Sequence, residues 1–76
     1  MPVMDLLTDR ERRQLVADIE HGARALGMTP QIVCVMGDVS PATWYMWRRG
    51  SVNPQRQSAE GVRMAIEKLK VQRIKP

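Results

Sequence analysis

The chain has 76 residues and is therefore expected to form one small domain. A domain of this size buries, on folding, only about three-fifths of the surface that its unfolded chain exposes. Its composition, with six Met, two Trp and no Phe, predicts a core of aliphatic side chains, Met and the two Trp. The single Cys excludes an internal disulfide and favours a cytoplasmic location, and no apolar run reaches the length of a membrane span.

The charge, which is +4 overall, is divided unevenly along the chain. Residues 1–47 hold four Arg against six acidic residues, whereas residues 48–76 hold eight Lys and Arg against two Glu. A basic half is typical of proteins that bind a polyanion such as a nucleic acid. Small proteins are often basic without such a partner, so the charge supports this expectation only together with a motif.

Residues 1–7 form an apolar N-terminal tail that packs on the core, mediates self-association or frays. The first helix follows it, because Thr8 and Glu11 have the spacing of a capping box. Gly27 is expected to end this helix. Its buried side is defined by apolar residues at helical spacing, which are Leu15, Ile19, Ala23 and Leu26.

Two short helices with a turn between them are predicted over residues 29–50. A Thr-Pro pair at 29–30 opens the first, which is nearly all apolar and is therefore expected to be buried on several sides. Gly37 is expected to end it in a left-handed conformation. A Ser-Pro pair at 40–41 repeats the opening signal and Gly50 repeats the stop, which is the pattern of a helix-turn-helix.

The second of these helices has two different sides at about 100° per residue. Trp44 and Trp47 fall on one side, which is expected to pack on the domain. The opposite side is mixed in character and comprises Ala42, Tyr45, Met46 and Arg49. This division is the one that a recognition helix needs, with one side fixed to the core and the other free to enter a groove.

Residues 51–57 are a polar loop with an Asn-Pro turn signal, and Ser58 is expected to cap a last helix. Residues 71–76 are expected to form a basic C-terminal tail. The last helix has the clearest amphipathic pattern of the chain, at Val62, Ala65, Ile66 and Leu69. The sequence thus predicts an all-α, compact domain of four to five helices with a central helix-turn-helix, over residues 8–70.

The segment VSPATWYMWRRG at residues 39–50 resembles the helix-turn-helix of the lambda-repressor/Cro-like proteins, small DNA binders of bacteria and phages. The shared features are an apolar residue before Ser40 at the turn, inward-facing residues four and seven positions after Ser40, which are Trp44 and Trp47, and a Gly after the helix. The turn itself differs, because MGDVS at 36–40 has one more residue between Gly and Ser than the family pattern. The resemblance extends over residues 8–70.

This resemblance implies a repressor-like transcriptional regulator that reads the major groove with helix 40–49, as a homodimer on a two-fold operator. By position, the residues that would contact bases are Pro41, Ala42, Thr43, Tyr45, Met46 and Arg49. The backbone of double-stranded DNA would be contacted by the helix N-termini at Thr29 and Ser40 and by Asn53, Arg56 and Gln57. The Gln, Asn or Arg that usually starts such a helix is missing, and Ala and Met can contact only thymine methyl groups.

Two alternatives to DNA binding by this motif remain open. The outward side of helix 40–49 is apolar and aromatic, as protein interfaces are, so the chain could be a protein-binding module that antagonises a transcription factor. The segment at 40–50 also resembles the motif of excisionase-like winged helices. That family opens with the motif and continues with strands, whereas here residues 1–28 precede the two-helix unit and a helix follows it.

The sequence lacks the patterns of a catalytic or metal site. It has no Gly-rich phosphate loop, no pair of Cys or His at metal-ligand spacing, and no nucleophile beside a base. Cys34 is expected to be buried and inert, and His21 to lie on the surface. We therefore expect a protein that acts by binding, without a cofactor, rather than an enzyme.

Overall fold

The computed structural model describes residues 5–74 and consists of four α-helices. They are α1 (Asp9–Leu26), α2 (Pro30–Met36), α3 (Pro41–Arg49) and α4 (Arg56–Ile74). The all-α fold predicted from the sequence is therefore confirmed. Residues 1–4 of the expected apolar tail and residues 75–76 of the expected basic tail lie outside the described part of the chain.

The helix ends follow mostly from the capping residues. Thr8, Thr29 and Ser40 each accept a hydrogen bond on the side-chain oxygen from the backbone N–H three residues later. Gly27 and Gly50 end α1 and α3 with left-handed φ angles of 69° and 86°. These starts and stops are the ones that the sequence predicts.

The turn between α2 and α3 differs from the prediction. Gly37 has a φ of −98°, and Asp38, the additional residue of the turn, takes the left-handed φ of 65° instead. Asp tolerates this conformation because its short polar side chain can bond locally. Glycine is needed at 37 for another reason: a Cβ there would lie 2.8 Å from the Cα of Val62 on α4.

Helix α4 begins at Arg56 rather than after Ser58, and it continues to Ile74, so residues 71–74 are helical rather than a tail. Its start is held by the N-terminal segment. The backbone N–H of Arg56 donates to the carbonyl of Asp5, and that of Leu7 donates to the carbonyl of Pro54, both at 2.8 Å. A backbone carbonyl of the N-terminal segment therefore accepts the hydrogen bond from the first N–H group of α4.

The core lies where α1 packs against α2, α3 and α4. Its buried apolar residues are Leu7, Leu15, Ile19, Ala23, Leu26, Val33, Cys34, Val39, Trp44, Trp47, Ala59, Val62 and Ile66. No Met of residues 5–74 is fully buried, and Met28 contributes to the core as a partly buried side chain packed against it. Over the same residues, no helix has the length and apolarity needed to cross a membrane.

Helix α2 is less buried than its composition indicated. Only Val33 and Cys34 are buried, whereas Ile32, Val35 and Met36 are each about half exposed. A seven-residue helix on the outside of the core has one side to bury, and the two buried positions fill it. The apolar character of the remaining side therefore has no explanation within the monomer.

Candidate nucleic-acid interface

Helix α3 is anchored on one side by two large rings. Trp44 and Trp47 are each 2% exposed, whereas Tyr45 on the other side is 57% exposed. Ala42 and Arg49 are exposed as well, and Met46 is half-buried. The structure thus has the orientation of α3 that the sequence predicts, except that Met46 lies at the edge of the outward side rather than fully on it.

The N-terminus of α3 offers few polar groups. The Ser40 hydroxyl accepts a hydrogen bond from the Thr43 backbone N–H at 3.2 Å and lies 2.9 Å from the Thr43 hydroxyl. These two hydroxyls therefore bond to each other. Pro41 and Ala42 are exposed beside them and can offer only apolar contact to a ligand.

The C-terminal half of α3 combines an aromatic ring with two cations. Tyr45, Arg48 and Arg49 line a shallow hollow. The Arg49 guanidinium lies 5.8 Å from the centre of the Tyr45 ring, within the range of a cation–π contact, and its Nε donates to the Ser51 hydroxyl at 3.1 Å. An exposed ring next to guanidinium groups suits a phosphate or the face of a base.

Two predicted backbone-contact residues are engaged inside the fold instead. The Asn53 amide oxygen accepts from Arg12 Nε and its amide nitrogen donates to Asp9, both at 3.0 Å. Arg56 forms ion pairs with Asp5 at 3.0 Å and with Glu11 at 3.3 Å. Among the residues expected to contact the DNA backbone, Asn53 and Arg56 therefore already have partners within the fold, whereas Ser40 and Gln57 are exposed.

Part of the basic half of the sequence is paired within the fold. Three of its arginines contact acids of α1: Arg63 contacts Asp18 at 2.6 Å and Arg48 contacts Glu20 at 3.6 Å, besides the Arg56 pairs. These three arginines are thus directed at the first helix, whereas Arg49, Lys68, Lys70 and Arg73 are exposed. The charge pattern alone could not reveal this, because it does not say which helix faces which.

Exposed cations that the sequence did not single out lie on α1. Arg10, Arg13 and Arg24 are exposed, and none of them forms a salt bridge within residues 5–74. At about 100° per residue, Arg13 and Arg24 lie on the same side of α1 as Glu20, which contacts Arg48 of α3. A helical projection of α1 would have identified this basic flank beside α3.

The pKa values of Glu11 and Asp18, the acids of α1 that pair with α4, are lowered by their surroundings. The hydrogen bond from the Thr8 backbone N–H, together with the Arg56 charge, lowers the pKa of Glu11 below its ordinary 4.5. Desolvation by partial burial opposes ionisation of Asp18, but hydrogen bonds from Arg63 and Gln14 outweigh it and lower the pKa below 3.8. The carboxylates of the pairs between α1 and α4 are therefore charged at physiological pH.

Comparison of the chain with known protein families, with curated proteins and with solved structures found no match. The resemblance to the lambda-repressor/Cro-like proteins thus rests on the motif residues alone. Within residues 5–74, no three His, Cys, Asp or Glu side chains are grouped so that they could hold a metal ion.

Proposed function

We propose that this chain is a DNA-binding transcriptional regulator, repressor-like, that reads the major groove with α3. One observation carries the proposal. Helix α3 is capped by Ser40 and Gly50 and fixed by two buried Trp, while its opposite side is exposed over two turns. A rigid helix presented in this way beside a second short helix has the arrangement of a helix-turn-helix.

The roles of the outward side chains follow from their chemistry. Arg49 can donate two parallel hydrogen bonds to guanine or to a phosphate, and Tyr45 can donate one from its hydroxyl. Ala42 can pack on a thymine methyl group. Phosphate contacts would come from exposed arginines on α1 and α3, chiefly Arg13 and Arg49, rather than from Arg56.

The direct test is binding of the chain to a random duplex pool, measured at several salt concentrations. Affinity should fall steeply with salt, because each arginine that contacts a phosphate releases counterions. Arg49→Ala and Arg13→Ala should each reduce the salt slope by about one. Arg63→Ala is the matched control, since Arg63 is paired with Asp18 and should leave the slope unchanged.

Absence of any duplex binding at low salt would contradict the proposal. An Arg63→Ala variant that loses as much of the slope as Arg49→Ala would contradict the assignment of the contact surface. Selection of bound fragments from the same pool would then give the operator and show whether it has two-fold symmetry.

A second candidate function is a protein-binding module that antagonises a transcription factor. It is favoured by the outward side of α3, where Ala42 and Met46 adjoin a Tyr45 that is 57% exposed. It is also favoured by the pairing of Arg48, Arg56 and Arg63 with acids of this chain, which reduces the charge available to a polyanion. Such a helix would lie in an apolar groove of its partner.

Two variants separate the two functions. Ala42→Asp adds a negative charge to the outward side of α3 and should abolish binding to either partner. Arg49→Ala should weaken DNA binding and flatten its salt dependence, whereas binding to an apolar protein groove should change little with salt. Loss with Ala42→Asp alone, in an interaction insensitive to salt, would indicate a protein partner.

A further inference from the structure

The outer side of α2 is an uncharged apolar surface. Ile32, Val35 and Met36 are 49%, 52% and 51% exposed. Their spacing of i, i+3 and i+4 makes them neighbours on one side of the helix. We call these three residues the α2 face. From residue 28 to residue 37 the sequence contains no charged side chain, so the face and its surroundings on the helix are neutral.

The other three helices expose cations to solvent. The exposed Arg and Lys residues are Arg10, Arg13 and Arg24 on α1, Arg48 and Arg49 on α3, and Arg63, Lys68, Lys70 and Arg73 on α4. Two copies of the chain that approach each other through α3 or α4 repel, because both helices have a net positive charge, and an approach through α1 places its four Arg and four acidic residues in the contact. The α2 face is where two copies can approach without this repulsion.

We infer that the α2 face is the docking site for a second copy of this chain, about a two-fold axis. In a two-fold interface the same patch meets itself, so a charge near the axis faces a like charge. A neutral apolar stripe is complementary to itself and avoids this cost. A partner recognised through its charge would find no charge to pair with here.

The size of the α2 face defines the kind of dimer. Three half-exposed side chains, with the exposed Met64 of α4 across a cleft that Gly37, Asp38 and Glu60 also line, are far fewer than the about 20–30 residues per side of a stable interface. The dimer is therefore weak and depends on concentration. Its use on a two-fold operator rests on the proposed function, whereas the docking itself does not.

The first test is sedimentation equilibrium of the full chain without DNA. The wild type should show a monomer–dimer equilibrium, and Val35→Glu should raise the dissociation constant about tenfold or more. Val71→Glu is the matched control, because Val71 is a valine of similar exposure, 56%, on α4. It should change the dissociation constant less than about twofold.

The second test uses opposite charges. Val35→Glu and Val35→Lys should each be monomeric alone, and an equimolar mixture should form the mixed dimer, because the two-fold axis places the glutamate on one copy across from the lysine on the other. Ile32→Glu and Ile32→Lys provide a second pair if a Val35 variant does not fold. The thermal midpoint of each variant verifies folding.

Three outcomes would overturn the inference. They are a wild type that stays monomeric up to about 1 mM, an equal loss of the dimer with Val71→Glu, and a charge-swapped mixture that stays monomeric. Failure of the proposed function is a separate result. If the chain dimerises through α2 but never binds duplex DNA, only the proposed function is refuted. If it binds duplex DNA without dimerising, only the docking of a second copy on the α2 face is refuted.

Discussion

Arg12 on α1 donates a hydrogen bond from Nη1 to the backbone carbonyl of Trp47 near the end of α3, at 3.0 Å. Its Nε donates to Asn53 in the following loop, and Gly50 lies against the same guanidinium. One side chain of the first helix thus satisfies a carbonyl at the C-terminus of α3 and fixes the loop after it. The orientation of the candidate recognition helix depends on α1 through this contact.

We predict that Arg12→Ala lowers the free energy of unfolding by about 1.5–3 kcal/mol, the range for hydrogen bonds to charged groups. Chemical denaturation followed by the fluorescence of the two Trp measures it. Arg13→Ala is the control. Arg13 is the neighbour of Arg12 in the sequence and is exposed, so its substitution should change the free energy of unfolding by no more than about 0.5 kcal/mol. Equal effects of the two substitutions would show that the contact with Trp47 contributes nothing.

The two glycines where α2 meets α4 should respond in opposite ways to alanine. At Gly37, a Cβ would lie 2.8 Å from the Val62 backbone, which cannot move aside, so Gly37→Ala should destabilise by about 1–3 kcal/mol. At Gly61, the nearest atom would be the Gly37 carbonyl oxygen at 3.5 Å, an ordinary contact. Gly61→Ala should therefore stabilise α4 by about 0.5–1 kcal/mol. Thermal midpoints that change in the same direction would contradict this packing.

The fold could be predicted from the sequence where the signal is local. The capping residues Thr8 and Ser40 and the two Trp of α3 specify their elements within one or two turns. What could not be predicted depends on contacts between distant residues. Arg56 is the clearest case, since its partners Asp5 and Glu11 lie about 50 positions away, and no local pattern distinguishes a paired arginine from one available to DNA.

The hydrogen bond from the Thr8 backbone N–H to Glu11, together with the charge of Arg56, lowers the pKa of Glu11 and predicts a loss of stability in acid. Because the folded pKa of Glu11 is below 4.5, this carboxylate stabilises the fold above that pH, and the contribution is lost as the pH falls through the folded pKa. Glu11→Gln should remove this part of the pH dependence, because the Gln side chain does not titrate. The start of α1 should survive, since Gln at the same position still completes the capping box. Unfolding curves of the variant and the wild type between pH 7 and about pH 2 measure the difference.

Arg56→Ala should flatten the same part of the acid profile, because it removes the charge that helps to lower the pKa of Glu11. Arg49→Ala is the control, since Arg49 contacts Tyr45 and Ser51 and not an acid of α1. An acid profile of Arg56→Ala that matches the wild type would show that the ion pair has no energetic role.

Cys34 should be unreactive in the folded chain, because burial raises the pKa of its thiol to about 12. The unfolded thiol ionises near pH 9 while the folded one stays protonated. The folded state therefore loses stability relative to the unfolded state as the pH rises above 9. Labelling with a thiol reagent at neutral pH should proceed only through opening of the fold and should accelerate in denaturant. Fast labelling of the native chain would place Cys34 at the surface.

The two sides of α3 should contribute unequally to the stability of the fold. Trp47 is 2% exposed and joins α3 to the core, so Trp47→Ala should cost about 3–5 kcal/mol. That is a large part of the total stability of a 76-residue domain, about 4–11 kcal/mol. Tyr45→Ala should cost about 1 kcal/mol or less, because Tyr45 is 57% exposed and loses mainly a surface contact with Arg49. Thermal denaturation by circular dichroism compares the two. A larger loss with Tyr45→Ala would mean that the side of α3 assigned to a ligand faces the core.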